Sequence, residues 1–163
     1  MPPSFGNLTR IERLHLGSGN LPSGIYNLQH LRQLYIWGDI KFPKDMEVDQ
    51  QALCNYDDGS SKYVFPSLTY LALQFSRNSS EIEFILTSCC PLSLQRLFFQ
   101  TGDFTLSECI IRFNRLRWLS IWDSMLLQEI PKLPESIRRV EVVKSFSLNS
   151  KALSKLLLQV TLS

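Results

Sequence analysis

Few side chains in this 163-residue sequence could serve as nucleophiles, general bases or metal ligands. There are four cysteines, Cys54, Cys89, Cys90 and Cys109, and two histidines, His15 and His30. A zinc site needs paired ligands separated by a few residues. Adjacent Cys89 and Cys90 have a poor spacing for that, and no histidine pair lies near them. The acidic runs Asp45-Glu47-Asp49 and Asp57-Asp58 lack the ligand pattern of a calcium loop and read as solvated loop. His15 and His30 are isolated and read as surface residues. No serine or cysteine stands in a pattern that marks a nucleophile with a positioned base. The sequence therefore predicts a non-enzyme with no catalytic, cofactor-binding or metal-ligating residues. Arg138, Arg139 and Lys144 make a small basic edge that reads as a solvated strand end.

What remains is the chemistry of contact. The chain has three tryptophans, five tyrosines and ten phenylalanines. In "LRWLSIWD", Leu116, Leu119 and Ile121 form one set, and Trp118, Ser120 and Trp122 alternate with them. Successive strand side chains point to opposite faces. With the leucine set inward, both tryptophans face outward, in an aromatic strip expected to extend to Trp37. The same reading turns outward Arg13, His15 and Gly17, then Gln33, Tyr35 and Trp37, then Tyr70, Ala72 and Gln74. Later segments add Arg96, Phe98 and Gln100, and then Arg139, Glu141 and Val143. Trp, Tyr and Arg dominate the energetics of protein interfaces. An aromatic ring covers about 150–250 Å², so six half-covered rings leave several hundred Å² open, the upper end for a soluble monomer. The candidate protein-binding residues are Tyr35, Trp37, Tyr70, Phe98, Trp118 and Trp122, with Arg96 and Arg139. Two plainer readings stand beside this one. Aromatic residues suit strands and stack for stability, or an inserted loop folds over them.

The elements that position these residues come from a repeat. The spacing L-x-x-L-x-L recurs at Ile11-Leu14-Leu16, Leu31-Leu34-Ile36, Leu68-Leu71-Leu73, Leu94-Leu97-Phe99, Leu116-Leu119-Ile121 and Ile137-Val140-Val142. The starts lie 20, 37, 26, 22 and 21 residues apart. Apart from the 37, these match a leucine-rich repeat of about 20–29 residues. The long interval predicts a surface insertion near 41–66, which is charged and contains Pro and Gly. One unit cannot bury its apolar side alone, so neighbours stack into a shared core. The expected fold is α/β: a horseshoe-shaped solenoid over 1–148 with about six repeats. Short parallel strands line its concave side, and irregular or 3₁₀ turns with a few short helices form the convex side. Return segments such as Ile25-Leu28-Leu31 and Ile110-Phe113-Leu116 are spaced by three, as tight helical turns require. "SSEIEFILTSCCP" reads as a short helix with a Ser80–Glu83 capping box and Pro91 past its end. That places Cys89 and Cys90 at a helix C-terminus, as packed residues. Residues 149–163 read as a helix covering the last repeat.

Composition narrows the class. The chain is 44% hydrophobic and 20% charged with net charge +2, which fits a globular domain. So small a charge makes no case for nucleic acid or an anionic membrane, and no apolar run is long enough to span a bilayer. Four thiols, two of them adjacent, read as reduced residues of a cytoplasmic protein. The sequons Asn7-Leu8-Thr9 and Asn78-Ser79-Ser80 weigh the other way. The chain opens inside a repeat, which suggests a fragment.

The repeats also resemble a family. "LHLGSGNLPSGIYNLQHLRQL" resembles the leucine-rich repeat of plant intracellular receptors. The ending "LRWLSIWDSMLLQEIPKLPESIRRVEVVKSFSLNSKALSKLLLQ" resembles the last repeats of TIR-type nucleotide-binding leucine-rich-repeat disease-resistance proteins. The resemblance covers nearly the whole chain, most firmly 94–159. It implies a protein-recognition region of an immune receptor in defense signalling. The partner would be a pathogen effector or the receptor's own nucleotide-binding domain. No phosphate-binding loop motif occurs in this chain. The position usually held by Asn or Cys carries Gly19, Asp39, Ser76, Gly102, Ser124 and Ser145 instead, which predicts irregular coils. The competing expectation is a truncated structural fragment or scaffold with no ligand of its own. Oligomeric state is not legible in the sequence.

Overall fold

The computed structural model describes residues 10–43, 63–74, 79–100, 108–123, 131–144 and 154. The chain is α/β, built on a parallel sheet of six strands with few helices. The strands are β1 (Arg13–Leu16), β3 (Gln33–Trp37), β5 (Tyr70–Gln74), β6 (Arg96–Gln100), β7 (Trp118–Trp122) and β8 (Arg139–Val143), side by side in that order. Two further short strands, β2 (Gly19–Asn20) and β4 (Ile40–Lys41), pair in a separate parallel ribbon.

Each strand comes from one of the six apolar triplets, and the register matches equivalent positions. Leu14, Leu34, Leu71, Leu97, Leu119 and Val140 form one row. Leu16, Ile36, Leu73, Phe99, Ile121 and Val142 form the next inward row. A one-residue slip would turn every one of these side chains to the other face, so burial of this set fixes the pairing. The ladder runs on past the strand starts. The carbonyls of Glu12, Arg32, Thr69, Gln95 and Arg117 each accept two backbone N–H groups from the next segment, at 2.8–3.2 Å.

The return segments close the core. Ile25, Leu28 and Leu31 are buried, as are Ile110, Phe113 and Leu116. Each trio runs from a 3₁₀ turn, Ser23–Asn27 or Glu108–Arg112, into the apolar start of the next strand unit. Spacing by three thus keeps one edge of each turn against the sheet. Helix α1 (Ser79–Phe84) continues into a wider π turn at Ile85–Cys89. It begins at Ser79, so Ser80 lies inside it rather than capping it. The expected Ser80–Glu83 capping box is not the device that starts this helix. Arg112 joins two returns: it donates to the Thr87 carbonyl (2.8 Å) and the Tyr63 hydroxyl (3.3 Å).

Both described ends of the expected 41–66 insertion belong to the body. Lys41 is in β4, while Phe42, Val64 and Phe65 are buried. Phe65 N–H donates to the Cys89 carbonyl (3.1 Å). The rest of the insertion, 44–62, lies outside the described residues. So does the expected 149–163 helix, except Ser154, which is helical.

Three strands end on a left-handed residue: Gly38 (φ +89), Asp123 (φ 53) and Lys144 (φ 54). Gly38 N–H donates to the Gln74 carbonyl at 2.7 Å and Asp123 N–H to the Val143 carbonyl at 3.0 Å. The left-handed residue thus aims one more donor at the next strand. At Gly38 a side chain would also meet the Ser18 hydroxyl at 2.2 Å. Gly38→Ala should therefore lower stability by about 1–3 kcal/mol. Gly17→Ala, where nothing lies within 4 Å, should be near neutral. Urea denaturation of the two variants checks this; equal midpoints would contradict it.

Candidate functional site

On a parallel sheet, equivalent outward residues stand about 4.8 Å apart from strand to strand. Three rows of the outer face carry the eight residues predicted to bind protein. The first runs Arg13, Gln33, Tyr70, Arg96, Trp118, Arg139. The second runs His15, Tyr35, Ala72, Phe98, Ser120, Glu141. The third runs Trp37, Gln74, Gln100, Trp122, Val143. All eight lie on one face, but they gather in groups rather than in one strip.

The first group is a stack. His15 lies parallel to Tyr35 with centroids 4.2 Å apart, and Tyr35 leans on Tyr70 at 5.0 Å. Gln33 accepts from Arg13 (2.8 Å) and from the Tyr35 hydroxyl (3.3 Å), tying the stack to the first row. Burial pushes the Tyr70 phenol up, reinforced by neighbouring Tyr35 and opposed by Arg96.

The second group centres on Trp118. The guanidinium of Arg96 sits 5.5 Å from its ring and that of Arg139 sits 5.2 Å away. Cation–π contacts of this kind contribute about 0.5–1 kcal/mol each when exposed. They also occupy the ring. Trp118 is half-buried, unlike Trp37 (48% exposed) and Trp122 (37%). Its indole N–H is buried and has no hydrogen-bond acceptor among the described residues.

The third group is a polar relay under Trp122. The Trp122 indole N–H donates to Ser120 Oγ (2.9 Å), and Ser120 donates to a Glu141 carboxylate oxygen (3.2 Å). The other Glu141 oxygen pairs with Arg139. Phe98 packs on Trp122 at 5.8 Å. Beside it Gln100 donates to Asp123 (2.9 Å).

Three corrections follow. Trp37 is separated from Trp122 by Gln74 and Gln100, three strand spacings or about 14 Å, so the aromatic strip expected to join them is broken. Ala72 (1%) and Ser120 (2%) are outward by register yet buried. Each is small and lies between larger neighbours of its row, which overhang it. Sequence reading also missed Glu141 and His15 as partners, because a contact between repeats depends on register.

Cys89 and Cys90 are packing groups. Cys89 and Cys90 are fully buried, and burial raises both thiols well above the usual range. His30 is exposed. Cys54 and the acidic runs lie outside the described residues. Among the described residues no group of His, Cys, Asp and Glu could hold a metal ion, and no helix is long and apolar enough to cross a membrane. Cys89 and Cys90 should resist maleimide labelling at pH 8 in the folded protein and label fully in denaturant. Rapid labelling of both in the native state, read by peptide mass spectrometry, would contradict that placement. No known family model matches the chain, and no curated protein matches it at a significant level.

Proposed function

We propose that this chain is a leucine-rich-repeat solenoid serving as a recognition module of a plant intracellular immune receptor. In that reading it works in the cytoplasm, in defense signalling. It binds a protein, either a pathogen effector or the receptor's own nucleotide-binding domain. The family part rests on the sequence resemblance, above all the terminal "LQEIPKLPESI" and "SLNSKALS" segments. The solenoid part is supported by six apolar triplets that each supply one strand of a single parallel sheet in matched register.

The observation that carries binding is the outer face. Trp37 and Trp122 are open to solvent, and Arg96 and Arg139 stand exposed in the neighbouring row. Tryptophan and arginine are among the residues enriched at the energetic centres of protein interfaces. The scaffold reading draws on a different observation: Tyr35 on His15 and Trp118 between two arginines are already partnered within the chain.

Trp37→Ala with Trp122→Ala separates the two. Both rings sit at the exposed strand ends, so far-UV circular dichroism should be unchanged. Binding to the receptor's nucleotide-binding domain or to a cognate effector, read by biolayer interferometry, should weaken by about tenfold or more. Undiminished binding by the folded double variant would sink the recognition reading.

A further inference from the structure

The protein's charge is small, yet its arginines are concentrated. Two register rows at the N-terminal ends of the strands hold Arg13, Arg32, Arg96, Arg117, Arg138 and Arg139, all exposed. One carboxylate, Glu12, shares those rows. At the opposite strand ends Asp39 and Asp123 balance Lys41 and Lys144. Among the described residues these two rows therefore carry a surplus of positive charge along one margin of the sheet, six arginines against Glu12, with Arg139 also paired to Glu141 of the next outer row. Such a margin attracts and orients an anionic partner.

Two crevices open on that margin. One, of about 590 Å³, is lined by Arg10, Arg32 and His30 with Glu12, Ser67 and Thr69. The other, about 20 Å³, lies among Tyr70, Arg96, Phe98, Trp118 and Ser120. It is large enough for about one oxygen atom. Trp118 is also the residue whose buried indole N–H has no acceptor among the described residues. A buried donor without a partner is costly, and a charged acceptor is the strongest remedy.

We propose that this arginine margin docks an extended acidic segment of a protein partner, with one carboxylate oxygen seated in the Tyr70–Arg96–Trp118 crevice. The inference deepens the recognition reading and rests on it. Five strand spacings of about 4.8 Å span about 24 Å, the length of about seven extended residues. The chemistry favours a carboxylate-bearing peptide over single-stranded nucleic acid. Base recognition of that kind needs free aromatic faces on which bases stack. Here Trp118 lies between two guanidinium groups and Tyr35 lies against His15. What the margin still offers is guanidinium edges, with the buried Trp118 N–H to be met only by an atom that enters the crevice.

The test is fluorescence anisotropy on the full chain with a fluorescein-labelled peptide of about eight alternating glutamates and glycines. Saturable binding that weakens as salt rises is expected. A lysine–glycine peptide should not bind. Arg96→Gln with Arg117→Gln should weaken binding about tenfold or more. Trp118→Phe keeps an aromatic ring between the arginines and removes the N–H with the pyrrole part of the indole; it should weaken binding about tenfold. Ile111→Ala, an exposed position on the Glu108–Arg112 return outside the margin, should leave the peptide affinity unchanged. Failure of the glutamate peptide to bind, indifference to the arginine and Trp118 variants, or tighter binding of an oligothymidylate of equal charge overturns the proposal. If the peptide fails while Trp37→Ala with Trp122→Ala still weakens a protein partner, the acidic-segment inference falls and the recognition reading survives.

Discussion

Register of the parallel ladder is the constraint on which the other features depend. Because strand side chains alternate, one choice of pairing sends Leu34, Leu71, Leu97 and Leu119 into the core together. The same choice sends Tyr70, Arg96 and Trp118 outward together. Burying one fully enclosed leucine contributes about 1.5–3 kcal/mol, and the inward rows repeat that contribution strand after strand. Outer-face contacts are weaker individually. The sheet would keep its register if they were lost, whereas they would not exist without it.

That hierarchy explains why the outer face can hold unsatisfied chemistry. Inside, the apolar rows and tight returns leave little room for polar groups, and Ser88 and Ser120 are the buried polar side chains among the described residues. Ser120 is satisfied on both sides, accepting from Trp122 and donating to Glu141. Trp118, one outer row away, has guanidinium groups over its ring but, among the described residues, no acceptor for its N–H. A core optimised by repetition fixes the backbone, and the outward residues then take whatever neighbours the register assigns them.

Much of the fold was legible. The six triplets located all six strands of the main sheet, and spacing by three located both described 3₁₀ returns. The β2–β4 ribbon was not legible, because Gly19-Asn20 and Ile40-Lys41 carry no strand pattern. It forms because the left-handed turn at Gly38 carries the chain back alongside the preceding unit. The start of α1 was misplaced because Ser80 has the side chain of a cap, whereas in the structure the helix already includes Ser79 and local sequence places helix ends only to within a residue or two. Of the candidate site, membership of one face was legible and grouping was not. Ala72 and Ser120 show why: exposure of a small outward residue is decided by the size of its neighbours on other strands.

By itself the sequence determined which residues face inward, since period-two alternation within each triplet needs only local geometry. It also determined that neighbouring units must stack, since one apolar side cannot be buried alone. Only the tertiary structure decided which outward residues meet. Trp118 lies within six angstroms of arginines that are 22 and 21 residues distant in the chain, and Trp37 is parted from Trp122 by two glutamines. Those contacts follow from the alignment of separate turns of the chain, and no spacing within a single turn encodes them.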